Sequence, residues 1–134
     1  MFNRFFLIIG FCLIAVNTFA SKEFKQIDDL LFRAFEFIDS NNDSAKIYAK
    51  HALDLALKFK YKKGEAGAYM RLGVVMSNEG KTDSALIYLR NAASLRAQIK
   101  DIKGAAGAYR EISYIYKNTN NFDSAFNYCL KALR

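Results

Sequence analysis

The residues able to do chemistry in this sequence are few. Three pairs, Asp43-Ser44, Asp83-Ser84 and Asp123-Ser124, place a carboxylate beside a hydroxyl. A serine nucleophile also needs a base held against its hydroxyl, most often a histidine. The sequence has one histidine, His51, inside a helical stretch beside Ala49 and Ala52. Each Asp-Ser pair is followed by alanine and by helical apolar spacing, and a carboxylate in the first turn of a helix is favoured by the helix dipole. Three helix starts therefore account for all three pairs. No H-E-x-x-H, C-x-x-C, glycine-rich phosphate loop or G-x-S-x-G occurs. The two cysteines, Cys12 and Cys129, cannot supply a four-ligand zinc site. Cys129 falls on an apolar stripe and reads as a small buried hydrophobe rather than a nucleophile. The expectation is a chain that is not an enzyme, with no catalytic residue, no metal and no cofactor.

Binding chemistry is the remaining option, and charge bears on it. Twenty basic against 13 acidic side chains give a net charge of +7. Lys58, Lys60, Lys62 and Lys63 cluster at one helix end, and Lys100 and Lys103 stand at the equivalent place one unit later. Cations near helix C-termini are favoured by the dipole, so solubility and capping explain them by position. The sharper alternative is an anionic partner, such as an acidic peptide. No nucleic-acid recognition motif is present, and nucleic acid is not an expected partner.

The elements that would carry such a surface are helices. The chain has 134 residues, is 52% hydrophobic and 25% charged, and contains no proline, which excludes bulk disorder and favours long helices over short strands and tight turns. Asp-Ser-Ala recurs at 43–45, 83–85 and 123–125, a spacing of forty residues. Gly64-Glu65-Ala66-Gly67-Ala68-Tyr69 is echoed at the same spacing by Gly104-Ala105-Ala106-Gly107-Ala108-Tyr109. Two signatures sharing one period identify an internal repeat. Tyr69, Leu72, Gly73 and Met76 form an i, i+3, i+4, i+7 stripe, as do Tyr109, Ile112, Ser113 and Tyr116; Ala85, Leu86, Leu89 and Ala92 form another. The turn signals are Asn78 to Thr82 and Asn118 to Asn121 within units, and Lys62-Lys63-Gly64 and Asp101 to Gly104 between them. Glycine and asparagine at these joints suit the left-handed conformation that ends a helix.

The order aromatic-x-x-Leu-Gly, then about twelve residues to Ala, then Ala seven further on, resembles the tetratricopeptide repeat. Tyr69, Leu72, Gly73, Gly80, Ala85 and Ala92 carry the resemblance in the second unit. Tyr109, Ile112, Tyr116, Phe122, Ala125 and Ala132 carry it in the third. The first unit keeps Ala45 and Ala52, with a loop one residue shorter. The forty-residue period is similar to the longer variant of the repeat, found among adaptors and in bacterial sensor kinases and transcription regulators. The resemblance implies an all-α fold, a right-handed solenoid of two to three antiparallel helix pairs. Its units fall at about 24–62, 63–102 and 103–134, the last incomplete. It also implies a peptide groove lined by the first helix of each unit. By position that groove comprises Gly67, Met70, Val74, Ser77 and Asn78, then Gly107, Arg110, Tyr114, Lys117 and Asn118. The implied function is a non-catalytic protein or peptide scaffold.

Met1 to Ala20 is set apart from the repeats. It has Arg4 as its only charge, an uncharged run from Phe5 to Val16, and small residues at Thr18 and Ala20. As a helix that run would span about 18 Å, short of a ~30 Å hydrocarbon core. It reads as a signal peptide cleaved near Ala20, so the chain is expected to be exported, periplasmic or secreted, with no stable membrane span. Residues 21–134 then form the repeat domain. The third unit breaks off in mid-helix without the polar cap that repeat arrays normally carry. The expectation is an N-terminal fragment of a longer protein, or an open end covered by a partner, a second copy included. A fragment would make the chain the extracytoplasmic input region of a signalling protein, the alternative to a free-standing scaffold. Small residues at Gly73, Ala85 and Ala92 should let neighbouring helices approach closely. Ala85→Leu should then lower stability by about 1–3 kcal/mol, and an unchanged melting temperature would contradict that packing.

Overall fold

In a computed structural model describing residues 21–133, the chain is a row of six helices, with no strand among the described residues. The expected signal peptide, residues 1–20, lies outside the described residues. Helix α1 runs through residues 21–37, followed by α2 (Asn42–Lys58), α3 (Lys62–Asn78), α4 (Thr82–Gln98), α5 (Ile102–Asn118) and α6 (Phe122–Leu133). Helices α2 to α5 are each 17 residues long. Three-residue joints separate them, and two helices with two joints fill the forty-residue period.

The middle residue of a joint is left-handed: Lys60 (φ 54), Gly80 (φ 73), Lys100 (φ 59) and Asn120 (φ 59). The next residue's N–H reaches back five residues to a helix carbonyl, as Tyr61 to Ala56, Lys81 to Met76, Asp101 to Arg96 and Asn121 to Tyr116. These bonds satisfy carbonyls that the helix end would leave orphaned. The turns between units are therefore at 59–61 and 99–101, earlier than the sequence signals suggested. Gly64 and Gly104 are not joint residues; they lie within the first turns of α3 and α5. The joint after α1 differs. Asn41 N–H bonds Phe37 O, four residues back, and none of residues 38–41 is left-handed. That is the one-residue contraction visible in the first unit's spacing.

Helix starts are capped from the same joints. The side chains of Asn41, Asp101 and Asn121 accept from the N–H of Ser44, Gly104 and Ser124 at 2.9, 2.9 and 3.2 Å. Asp43, Asp83 and Asp123 each sit in a first turn. The Asp101 carboxyl is held below the usual carboxylate range by the Gly104 N–H first, then by Arg96, with the charge of Lys63 adding to it.

Within a unit the two helices meet through small residues. Gly73 of α3 lies against α4 so closely that an added Cβ would stand 2.6 Å from Leu89 Cγ and 3.3 Å from Ala85 O. Ala85, Leu89 and Ala92 are fully buried there. Between units, the core continues from Ile27, Ala52, Ala56 and Ala68 through Leu72 and Val75 to Leu89, Ile112 and Ile115. Aromatic pairs bridge the helices of each unit, Phe37 with Tyr48, Tyr69 with Tyr88 and Tyr109 with Tyr128, at centroid distances of 5.7, 6.1 and 6.1 Å. Glu79 of the second unit's turn pairs with Lys46 of α2 and with Lys81, and these bonds hold its carboxyl below its ordinary range. Cys129, expected to be buried, is exposed on α6. Its stripe position corresponds to Leu89, which α5 covers in the second unit.

Two glycines of similar sequence context should respond oppositely to alanine. Gly73→Ala gains helix propensity but meets Leu89, and should destabilise by about 1–2 kcal/mol net. Around Gly107 the nearest atom to an added Cβ is Met70 Cε at 4.0 Å. Gly107→Ala should therefore stabilise by about 0.5–1 kcal/mol, read as a rise in denaturation midpoint.

Candidate peptide groove

A groove on this architecture has to be built from the first helix of each unit, α1, α3 and α5. The tighter back-bonded turn after α1, four residues instead of five, shifts the register, so the α1 positions matching α3 lie 39 residues earlier, while those of α5 lie forty later. Phe35, Val74 and Tyr114 are then one row, and Leu31, Met70 and Arg110 its neighbour. Phe35 is 54% exposed and Tyr114 56%, both aromatic and both open to solvent. Val74 between them is half-buried, packed with Ile38, Ala45 and Val75. Single exposed apolar side chains are ordinary on a protein surface, whereas a row of them at equivalent repeat positions is the pattern of a contact surface.

The charge in this row is carried by Arg71. Its guanidinium sits 4.7 Å over the Phe35 ring, a cation–π contact between α1 and α3. Burial lowers its pKa, and the charge of Arg96 lowers it further, with Glu111 acting the other way. Arg110 is exposed and lies 3.5 Å from Glu111. A half-buried guanidinium beside the open Phe35 ring can take a carboxylate while a neighbouring apolar side chain packs on that ring.

The remaining positions named from the sequence fall in several places. Met70 is half-buried and packs with Ala92, Ala93 and Ala108, joining α3 to α4 and α5. Gly67 is covered, since an added Cβ would stand 2.7 Å from Leu31 Cδ1. Ser77 is half-buried, and Lys117 and Asn118 are exposed at the end of α5. The Asn78 amide donates to Ile38 O at 3.2 Å and ties α3 to the end of α1. Leu31, Phe35 and Arg71 were not among the positions named from the sequence: the groove was mapped only onto the second and third units, and Arg71 lies one residue off the mapped row. A 39-residue step back from Met70 and Val74 finds Leu31 and Phe35. The repeat positions Leu72, Ala85, Ala92 and Ile112 are buried, Ala125 nearly so, and Tyr69, Tyr109 and Ala132 half-buried.

Among the described residues, no cluster of His, Cys, Asp and Glu could hold a metal ion, and no helix is long and apolar enough to cross a membrane. Residues 66–99 and 106–134 match the tetratricopeptide repeat family. The crystal structure of the TPR domain of Arabidopsis FLU is similar, with a TM-score of 0.74 and 20% identity, over 83% of this chain and 94% of that chain. At that identity the likeness is one of fold. No curated protein matches the chain significantly.

The Asn78 bond and its absence at Asn118 make a paired prediction. Asn78→Ala should cost about 1 kcal/mol, the scale of one part-buried hydrogen bond. Asn118→Ala, at an exposed helix end, should leave the denaturation midpoint within about 0.5 kcal/mol of wild type.

Proposed function

We propose that this chain, whose residues 66–99 and 106–134 match the tetratricopeptide repeat family, is an exported, non-catalytic scaffold that binds a peptide segment of another protein along α1, α3 and α5. The observation that carries this reading is the open row Phe35, Val74 and Tyr114 with Arg71 set over Phe35. An extended or helical segment would seat an apolar anchor among these side chains. Arg71 and Arg110 favour an acidic residue next to that anchor, in keeping with the excess of basic over acidic side chains. Export is supported by the composition of Met1 to Ala20, and the mature chain would begin near Ser21.

Selection from a random peptide library on the immobilised chain tests the groove. Enriched peptides should pair a large apolar residue with Asp or Glu. Phe35→Glu/Tyr114→Glu, at two exposed positions, should weaken the enriched peptides by about thirtyfold or more, the scale of losing an interface hot spot. Equal affinity in the double variant would sink the proposal.

A further inference from the structure

The joints alternate between the two edges of the row. Neighbouring helices pack side by side through short joints, so the turns after α1, α3 and α5 lie on one edge and those after α2 and α4 on the other. The two edges carry opposite charge. Residues 38–44, 78–84 and 118–124 hold five acids, Asp39, Asp43, Glu79, Asp83 and Asp123, and one cation, Lys81. Residues 57–63 and 97–103 hold six lysines, Lys58, Lys60, Lys62, Lys63, Lys100 and Lys103, and one acid, Asp101. Asp101 is already committed to the Gly104 N–H and to Arg96. All six lysines are exposed. Among the described residues, Lys62 alone of the six is in an ion pair, with Glu65 at 2.9 Å.

Helix capping accounts for one of these lysines. Lys58 stands in the last turn of α2, where the dipole favours a cation. Lys62, Lys63 and Lys103 stand in the first turns of α3 and α5, where the same dipole opposes one. Lys60 and Lys100 hold left-handed joint positions, φ 54 and 59, to which glycine or asparagine is better suited. Five lysines thus sit where the fold gains nothing from them, the mark of residues kept for another purpose. Aliphatic side chains share the edge. Leu57 is 49% exposed, and Ile102, between Lys100 and Lys103, is 72% exposed. Ile102 has the place in α5 that Lys62 has in α3, and that place is exposed in both units, so the edge belongs to the repeat and not to its end.

The mixture selects among anionic partners. A nucleic-acid backbone takes lysines but gains nothing from open isoleucine and leucine. Protein interfaces favour arginine and are poor in lysine, and neither stretch contains arginine. Lysine stems beside aliphatic tips fit a lipid headgroup layer, where the tips enter the acyl boundary and the ammonium groups stay at the phosphates. We propose that the edge formed by residues 57–63 and 97–103 docks the protein on a bilayer surface rich in anionic lipid, with Leu57 and Ile102 entering the interface. The helices then stand on the membrane with the acidic edge turned away. Phe35, Val74 and Tyr114 lie in the C-terminal halves of their helices, nearer the acidic edge, so docking leaves that row open. The lipid surface is separate from the groove and does not depend on it.

The test is cosedimentation with vesicles of the chain beginning at Ser21, which keeps every described helix and none of the uncharged run Phe5 to Val16. Phosphatidylcholine vesicles containing about one third phosphatidylglycerol should bind it, pure phosphatidylcholine should not, and binding should weaken as salt rises. Lys63→Gln/Lys103→Gln should weaken binding about twentyfold or more, at about fivefold for each surface lysine. The same variant should keep or raise the denaturation midpoint, because each charge leaves a helix N-terminus. Lys50→Gln/Lys81→Gln removes equal charge away from the edge and should stay within about threefold of wild type. Ile102→Ser should weaken binding about threefold, the loss of one inserted aliphatic side chain. Four results would each overturn the proposal. They are no binding to the anionic vesicles, equal losses in the two lysine pairs, which would reduce the effect to net charge, and a lower midpoint in Lys63→Gln/Lys103→Gln, which would give these lysines a folding role. The fourth is unchanged binding in Ile102→Ser, which would leave an edge that reads charge alone and assign it to a soluble acidic partner.

Discussion

The distance between neighbouring helices is the constraint on which everything else in this molecule rests. Helices bury their flanks only when their backbones come close, and large side chains at the crossing prevent that. Here Gly73 admits Leu89 and the Ala85 carbonyl, and Gly64, Gly67 and Ala108 let each following helix sink into the furrow between the two helices before it. With little volume at the crossings, the larger apolar residues gather beside them, as Leu72, Val75, Leu89 and Ile112 do. Each unit contacts its neighbours through these furrows, so stability accumulates along the row rather than around one centre.

This economy of small residues also explains where binding surfaces arise. A helix committed on one flank to its partner and on another to the next unit has one face left. On α1, α3 and α5 that face carries Phe35, Val74 and Tyr114, too large for the crossings and too apolar to be placed there for solubility. The basic edge is a different kind of surface, formed where the turns after α2 and α4 carry lysine at left-handed positions and at helix N-termini.

The repeat was legible because its signals are local and doubled. Asp-Ser-Ala marks helix starts through the dipole, and the glycine-alanine block marks helices that must approach closely. Both repeat at forty residues because 17-residue helices alternate with three-residue joints. The joints themselves were less legible. Gly64 and Gly104 resemble turn residues, yet their lack of a side chain serves packing, while the left-handed positions fall on Lys60, Lys100 and Asn120. Lysine has no special aptitude for that conformation; it is held there by the back-bonded helix end.

The sequence by itself determined the all-helical class, the period and the helix starts, because each depends on residue type and spacing along one strand of chain. Only the tertiary structure decided which faces were left over. It brought Phe35 of the contracted first unit into the row of Val74 and Tyr114. It placed Arg71 on the Phe35 ring, turned Asn78 to a carbonyl of α1, and left Cys129 in the open. These outcomes depend on how one helix settles against residues forty positions away, and a periodic pattern read along the chain holds no record of that contact.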